Sequence, residues 1–384
     1  MPPNSSILLG DLCFFVHETC DCSFVDPETY VSTDSMLPDK AGITQAESIP
    51  LTGTVSKYQP KDVLLSNIRP YFKKIWQSTR NGTCSNDVLV IRAKDERISD
   101  YLFALLSEDR FFDHVMLGSK GTKMPRGDKE QILTYTVCDL PFSEMLAIGG
   151  WFSLINQKIS CNQAINDNLM KSARAAFSEM MDTSELSSGV LSDVVSITMG
   201  QSPPGESLSE DDTGTLFYQG RAEFGPVFPT PRLYTSDPRR MAKQGSILMS
   251  VRAPVGDINV ALERCCIGRG LAAIESNNGM QGFVHYLMDY LKPKLDVFNG
   301  DGTVFGSINK ESVNGLEISL PEQKSIEQFN KYAEKVDAEI RSNHMEMLKL
   351  SEIRDYLLPK LMSGEIDVST LKMPTKYSFN PANK

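Results

Sequence analysis

Four residues near the start of the chain have side chains that bind metal ions: Cys13, His17, Cys20 and Cys22. Zinc in proteins is commonly held by four thiolate or imidazole ligands, so the composition suits a zinc site. Zinc sites usually separate two ligand pairs by a long loop, however, whereas these four fall within ten residues. Buried or isolated thiols are the better explanation and zinc the less favoured one, so we expect no metal here.

Sequence motifs of catalysis are missing. The chain has no G-x-x-x-x-G-K-[ST] loop for ATP phosphates, no G-x-S-x-G nucleophile turn and no H-E-x-x-H helix. An amino-methyltransferase would need an Asn-Pro-Pro-aromatic loop and a glycine-rich cofactor turn, and neither is present. We therefore expect no catalytic residue and no cofactor in this chain. The four histidines are scattered, at His17, His114, His285 and His344.

Basic residues are the remaining side chains that could bind a ligand, in this case an anion. The formal net charge of −10 argues against a protein that coats nucleic acid without specificity. Nevertheless, residues 61–80 and residues 232–252 each contain five basic residues and one acid. A third cluster runs from Lys120 to Lys129. Each stretch could be a solvated face with no ligand, but clusters at similar places in two halves favour a shared task.

Length and composition indicate a protein with two or three domains. The chain has 384 residues, of which 41% are hydrophobic and 23% are charged. Its eight cysteines follow no regular framework, which suggests reduced thiols in a cytoplasm. The start of the chain lacks the features of a signal peptide, and the uncharged stretch between Glu144 and Lys158 is too short to span a bilayer.

The second half of the chain repeats landmarks of the first. The phrase LLSNIRP at residues 64–70 returns as LMSVRAP at residues 248–254. Leu140-Pro141 returns as Leu320-Pro321, and the landmarks between keep their order. Repeats of this length predict two copies of one structural unit.

After each Leu-Pro pair, apolar residues recur at alternating spacings of three and four, which predicts a long helix packed along another helix. Each copy has eleven such positions, of which nine are apolar. We expect two antiparallel helices of about 40 residues, each roughly 60 Å long. Asn162 and Asn343 are equivalent polar exceptions; facing asparagines would fix the register, and a frayed edge is the alternative. The representative seam residues are Ile155, Ile159, Asn162, Leu169, Val336, Ile340, Asn343 and Leu350.

The globular stretches contain short β-type runs interrupted by glycine and proline, with short helices expected near residues 101–115 and 282–291. We therefore predict an α+β fold with a pseudo-twofold internal repeat, in which two β-rich domains are joined by an antiparallel coiled-coil spacer. The predicted regions are a first domain at 1–140, a long helix at 141–185, a second domain at 186–320, a long helix at 321–367 and a tail at 368–384.

Several phrases resemble those of the specificity subunit of type I restriction-modification systems. They are ILMSVRAPVGD at 247–257, CCIGRGLAAI at 265–274, GTVFGSINKE at 302–311, LLPKLMSGEI at 357–366 and, in the first half, LLSNIRPYFKKI at 64–75. The resemblance implies two target-recognition domains, each of which reads one half of a split double-stranded DNA site. It also implies helices that act as a ruler and dock two methyltransferase subunits, with restriction subunits joining the complex. S-adenosylmethionine, ATP and magnesium would then be bound by the partner subunits.

In such a protein, lysines and arginines would contact phosphates and a few side chains would contact base edges. Arg69 and Arg252 have an alternative role, since an arginine near a proline turn could brace its own domain. We expect the neighbouring aromatic residues to lie in the core; they are Tyr71, Phe72, Tyr218 and Phe224. The candidate DNA contacts are Arg69, Lys73, Lys74, Lys120, Lys123 and Arg126 in the first domain, and Arg221, Arg232, Arg239, Arg240 and Arg252 in the second.

Two other functions remain open at the level of sequence. The chain could be a scaffold that presents two β-rich domains to protein partners without binding DNA, and the negative net charge supports this. It could also be an independent DNA reader that forms a homodimer.

Overall fold

Short strands make up the first globular region, as expected where glycine and proline interrupt apolar runs. The structure is a computed structural model that describes residues 5–119, 124–300 and 306–368. The strands of this region are β1 (Ser6–Leu8), β2 (Cys13–Phe15), β3 (Thr19–Asp21), β4 (Tyr30–Val31), β5 (Thr54–Tyr58), β6 (Val63–Ser66), β7 (Ile75–Gln77), β8 (Gly82–Cys84), β9 (Val88–Ala93) and β10 (Thr136–Cys138). Its α-helices are α1 (Leu9–Leu12), α2 (Ser99–Leu106), α3 (Asp109–Leu117) and α4 (Lys129–Leu133).

These strands form two four-stranded sheets and one two-stranded sheet within the part of the chain that the structure describes. The sheet orders are β2-β9-β6-β7, β3-β5-β8-β4 and β1-β10. Strand β6 begins the LLSNIRP segment and lies inside its sheet, where all four of its residues are buried. This burial explains the uninterrupted apolar run in the sequence.

A long helix, α5 (Phe142–Thr183), follows directly after Leu140-Pro141. The second region then contains β11 (Ser187–Val190), β12 (Val195–Met199), β13 (Leu208–Ser209), β14 (Thr215–Tyr218), β15 (Leu233–Thr235), β16 (Met241–Ala242), β17 (Ile247–Ser250), β18 (Ile258–Val260), β19 (Cys265–Ile267), β20 (Leu271–Ser276) and β21 (Glu317–Leu320). Its helices are α6 (Gln281–Tyr290), α7 (Lys292–Asp296) and α8 (Lys310–Asn314). The second long helix is α9 (Gln323–Met362).

The second region reproduces the sheet framework of the first. Its β12-β20-β17-β18 sheet matches β2-β9-β6-β7 in order, and its β11-β21 pair matches β1-β10. Strand β17, from the LMSVRAP segment, takes the place of β6. The predicted α+β fold, with two β-rich regions and two long helices, is confirmed, and so is the internal repeat of the β-rich regions.

The chain divides into two compact units, Met1–Cys161 with Glu346–Lys384, and Asn162–Met345. Each unit therefore contains one β-rich region and a part of both long helices. In the first unit, Met145 and Ile148 of α5 share a buried cluster with Leu358 and Leu361 of α9. The sequence predicts the helices as separate regions, whereas in the structure one part of each helix belongs to the first unit and the other part to the second.

The predicted seam residues lie on the inner side of the helices. Five of the eight are buried, namely Ile155, Asn162, Val336, Ile340 and Asn343, and three are half-buried, namely Ile159, Leu169 and Leu350. Near the end of α5 the buried residues are Phe177 and Met181, one position beyond those that the strict spacing predicted. A straight helix drifts relative to a 3.5-residue repeat, and here the Phe177 ring packs 5.2 Å from that of Phe329 and 5.6 Å from that of Phe283.

A buried pair of asparagines does occur in the second unit, but with a different partner from the predicted one. The Nδ2 of Asn343 donates to Oδ1 of Asn166 at 2.9 Å, so Asn343 pairs with Asn166 rather than with Asn162. Asn166 and Asn343 are 4% and 8% exposed, which excludes a frayed edge. A second contact, between Ser172 and Tyr332 at 3.2 Å, shows that the helices run antiparallel within this unit.

The helical structure predicted near residues 101–115 is confirmed. The structure has two helices, α2 and α3, separated at Ser107 and Glu108, where Glu108 has extended backbone before the first turn of α3. The helix predicted near residues 282–291 corresponds to α6.

Candidate functional site

The repeated phrase forms the same closed turn in both units. After β6, the backbone N–H of Ser66 donates to the Lys74 carbonyl at 3.0 Å, and after β17 that of Ser250 donates to the Asp257 carbonyl at 2.8 Å. Both serine side chains are buried and donate inside their own turn, Ser66 to the Ile68 carbonyl and Ser250 to the Pro254 carbonyl. The residues that the two phrases share thus close the turn.

Each turn also pairs with a later segment of its own unit. Ile68 forms an antiparallel bridge with Arg126, and Arg252 forms one with Ser307. Since Arg126 and Ser307 are 181 residues apart, Arg252 is the structural equivalent of Ile68 and not of Arg69. The two arginines of the repeated phrase therefore occupy neighbouring positions in equivalent turns.

The candidate DNA-contacting residues differ in whether their side chains are already engaged. Arg69, Arg240 and Arg252 are exposed, and none of them has a side-chain partner among the residues that the structure describes. An arginine that braced its own domain would have such a partner, so the bracing role of Arg69 and Arg252 loses support. DNA contact by these arginines stays a prediction. Lys120 and Lys123 lie outside the described residues.

In the first unit, the other described candidates bond to the protein itself. Lys73 pairs with Asp109 at 2.9 Å. The Lys74 ammonium donates to the Thr33 carbonyl at 2.8 Å. Arg126 is exposed and pairs with Asp87 at 3.1 Å. Such contacts hold the turn in place, although the pair at Arg126 is open enough to exchange its partner for a phosphate.

In the second unit, three candidate arginines likewise have carboxylate partners. Arg239 pairs with Asp237 at 2.6 Å on the surface. Arg232 pairs at 3.0 Å with Glu223, whose side chain is only 4% exposed. A buried carboxylate needs this charge, so we expect Arg232 to stabilise the fold more than it binds DNA.

Arg221 belongs to a larger ionic cluster in the second unit. It pairs with Asp257, which also accepts a hydrogen bond from Lys292 at 2.7 Å. Burial alone would raise the pKa of Asp257, but the bonds from Lys292 and Arg221 outweigh it and hold the pKa below its usual value. The cluster lines a polar cavity of about 490 Å³. Arg221 is therefore committed to its own domain.

The aromatic residues divide between core and surface. Tyr218 is 1% exposed, as expected for a core residue. The expectation is wrong for Tyr71 and Phe72, which are 47% and 38% exposed. The sequence signal that could have shown this is their position directly after Arg69-Pro70, inside a turn rather than a strand.

The cysteine cluster near the N-terminus is not arranged around a metal position. Within residues 5–119, 124–300 and 306–368, no group of three or more Cys, His, Asp or Glu side chains could hold a metal ion. The Cys13 thiol is buried and donates to the Leu9 carbonyl, and burial raises its pKa to about 12. A thiol in this state is a poor metal ligand, because the metal binds the thiolate.

Among the described residues, none of the helices combines the length and the hydrophobicity of a membrane-spanning segment.

The comparisons with known proteins agree with the resemblance inferred from sequence motifs. No family model matches the chain. One relative is a Methanocaldococcus jannaschii protein with the assigned name type I restriction enzyme MjaX specificity subunit. The two sequences are 39% identical over 176 residues, and this aligned stretch is 45% of this chain and 41% of the relative. A second relative is the type I restriction enzyme MjaIX specificity subunit of the same organism. It is 26% identical over 142 residues, and this aligned stretch is 36% of this chain and 32% of the relative. Both alignments span less than half of the relatives' own length.

A solved structure shares the fold over nearly the whole chain. It is the S subunit of a type I restriction-modification system from M. genitalium, with a TM-score of 0.62 at 13% identity, and the match covers 94% of this chain and 99% of that one. At this identity the likeness concerns the fold. The resemblance to type I specificity subunits is thus confirmed in sequence for part of the chain, and the fold is shared over most of it.

Proposed function

We propose that this chain is the DNA-recognition subunit of a type I restriction-modification complex. Each β-rich region reads one half of a bipartite double-stranded site, and the two long helices set the spacing of the half-sites and dock two methyltransferase subunits. Restriction subunits then join the assembly. The chain itself supplies recognition, whereas its partners bind S-adenosylmethionine, ATP and magnesium and perform the chemistry.

One observation carries the proposal. The two units present the same Ser-closed turn, and each turn exposes an arginine without a side-chain partner among the described residues, Arg69 in one and Arg252 in the other. The side chains of both arginines are therefore available to contact an external phosphate. Exposed cations at neighbouring positions of equivalent turns, on two copies of one framework, suit the reading of two half-sites.

The first experiment expresses the chain with its methyltransferase subunit and maps the methylated adenines in the host DNA. The expected product is one asymmetric motif in two parts with a spacer of constant length. A host without new methylation, in which the purified chain binds proteins but not DNA, would instead support the scaffold. Steep weakening of duplex binding with salt separates the two in vitro, because only phosphate neutralisation releases counterions.

A second experiment addresses the role of the helices. Removal of one heptad from both long helices should change the spacer and leave the half-site bases unaltered. The heptad keeps the seam in phase, so the helices can still pack. A spacer that stays the same would contradict the proposed ruler.

A further inference from the structure

Left-handed backbone is concentrated at one place in the first unit. Within the described chain, five non-glycine residues have positive φ, and four of them lie in two neighbouring segments. In one segment Asp39 has a φ of 53° and Lys40 a φ of 64°, and in the other Arg69 has 51° and Lys73 has 50°. A residue with a Cβ rarely adopts this conformation, and clusters of such residues persist only where the surroundings enforce them, most often at functional sites.

The two segments hold each other in this conformation. The backbone N–H of Asp39 donates to the Phe72 carbonyl at 2.9 Å, and that of Lys40 donates to the Lys73 carbonyl at 3.0 Å. The two lysine side chains then converge on Asp109 Oδ1, at 2.8 Å and 2.9 Å. Burial alone would raise the pKa of Asp109, but these bonds outweigh it and keep the pKa below its usual value, so the carboxylate stays charged.

The turn at residues 69–73, which these contacts pin in place and which we call the pinned turn, exposes two aromatic rings. The 3₁₀ helix Pro70–Phe72 lies between the left-handed residues Arg69 and Lys73, with Pro70 buried. Tyr71 and Phe72 are half-exposed, and their ring centroids are 4.6 Å apart. Arg69 is next to them on the exposed side of the turn. Aromatic side chains on a rigid backbone beside cations suit contact with base edges in a duplex, since an apolar ring can pack against the thymine methyl group in the major groove.

The fold of a β-rich region does not require left-handed non-glycine residues or exposed aromatic rings in this turn. The equivalent turn of the second unit, Ser250–Asp257, contains no aromatic residue, and its one left-handed residue is Gly256. In that turn Val255 is fully buried. Because the same framework folds there without exposed rings or left-handed side chains, the pinned aromatic turn serves something particular to the first unit.

We propose that Tyr71 and Phe72 contact bases of the half-site read by the first unit, and that Asp109 positions them through Lys40 and Lys73. This inference rests on the proposed DNA-recognition function. The rings supply apolar contact that discriminates among bases, while Arg69 and Arg126, on the two paired segments, contact the flanking phosphates.

The test uses the full chain assembled with its methyltransferase subunits. Binding of the Tyr71→Ala/Phe72→Ala variant to its cognate duplex is compared with duplexes altered in one half-site or the other. We expect the affinity for the cognate duplex to fall about tenfold to a hundredfold, as for the loss of one base-pair contact. Discrimination should relax only at the half-site of the first unit. The salt dependence should not change, because aromatic contacts release no counterions.

Matched controls are Phe24→Ala and Leu51→Ala, which remove apolar side chains of the first unit that are 77% and 89% exposed. Both should bind like the parent complex. A second variant, Asp109→Ala, keeps the rings but removes their anchor, and it should relax discrimination at the same half-site. Thermal melting of each variant separates these effects from loss of fold.

The inference would be overturned if the Tyr71→Ala/Phe72→Ala variant discriminated between duplexes as the parent does. It would also be overturned if the main defect of this variant were weaker assembly with the methyltransferase subunit. In that case the rings would be a protein-docking surface. The proposed function has a separate outcome in this experiment, because it fails here if the parent complex shows no preference for any duplex.

Discussion

Asn343 donates a hydrogen bond to Asn166 at 2.9 Å from inside the packed helices of the second unit. Asn166 in turn donates to the carbonyl of Ile340 at 3.1 Å. The neighbouring seam residues Val336 and Ile340 are buried apolar side chains. A polar pair in this setting adds little stability but penalises any register that would separate its members.

We predict that Asn343→Leu destabilises the second unit, because it leaves a buried amide oxygen of Asn166 without its donor. The expected loss is about 1–3 kcal/mol in the free energy of unfolding. The double variant Asn166→Leu/Asn343→Leu should recover part of this loss, since neither amide then remains buried alone. Urea unfolding of Asn343→Leu, Asn166→Leu and the double variant measures the coupling. Asn168→Leu, on the exposed side of α5, is the control and should have little effect. Additive losses would contradict a direct interaction.

A second prediction concerns Glu108, whose carboxyl is buried between α2 and α3. Burial raises its pKa from 4.5 to about 7, against the smaller opposing effects of Arg110 and Lys40 and with some reinforcement from Asp109. The folded state therefore binds a proton more tightly than the unfolded state. Stability should fall as the pH rises from about 4.5 to about 7 and should stay at the lower level above that range.

The variant Glu108→Gln should remove this pH dependence. At pH 8 we expect it to be more stable than the parent by about 1–3 kcal/mol, and at pH 5 the difference should be much smaller. Thermal melting at the two pH values is the measurement. Glu96→Gln, which changes an exposed carboxyl of the same region, is the control and should show no such pH dependence. An equal gain at both pH values would point to packing rather than to ionisation.

The sequence predicts the long helices well because their burial follows a period that is visible in the residues themselves. It could not predict the partner of Asn343, because the stagger of two antiparallel helices depends on tertiary packing. The strict spacing places Ala176 in the seam, whereas the buried residue is its neighbour Phe177, and the cause is again tertiary packing, since Phe177 also packs against α6.

The candidate site was predictable only in part. Clusters of basic residues are visible in the sequence, but which of them are neutralised by an acid depends on distant segments, as with Lys73 and Asp109. Tyr71 and Phe72 were expected in the core because aromatic residues usually lie there. Their exposure follows from left-handed backbone at Arg69 and Lys73, a conformation that neither residue type favours on its own.

A third prediction separates arginines with and without internal partners. Arg69→Ala and Arg252→Ala should each weaken cognate and non-cognate duplex binding alike and reduce the slope of log affinity against log salt by about one. Arg97→Ala, which removes a surface arginine already bonded to Asp95, is the control and should leave the slope unchanged. Salt titrations of duplex binding by the assembled complex provide the comparison. If all three variants behaved alike, exposure without a partner would not identify the phosphate contacts.

A fourth prediction concerns the exchange of one half-site reader. Replacement of residues 1–140 by the corresponding region of another specificity subunit should change one half of the methylated motif and leave the other half and the spacer intact.

The buried cluster of the first unit, however, also includes Ile148 and Phe152 of α5 and Leu358 and Leu361 of α9. A foreign β-rich region would face these side chains without complementary packing, and cavities or overpacking in a core are costly. An exchange of the complete unit, Met1–Cys161 with Glu346–Lys384, keeps that cluster together.

We therefore expect both chimeras to acquire the same new half-site, with the complete-unit chimera melting at the higher temperature. Methylome sequencing and thermal melting give the two readouts. A chimera that altered both half-sites would contradict one reader per unit, and equal melting temperatures would show that the helix segments contribute little to the core of the first unit.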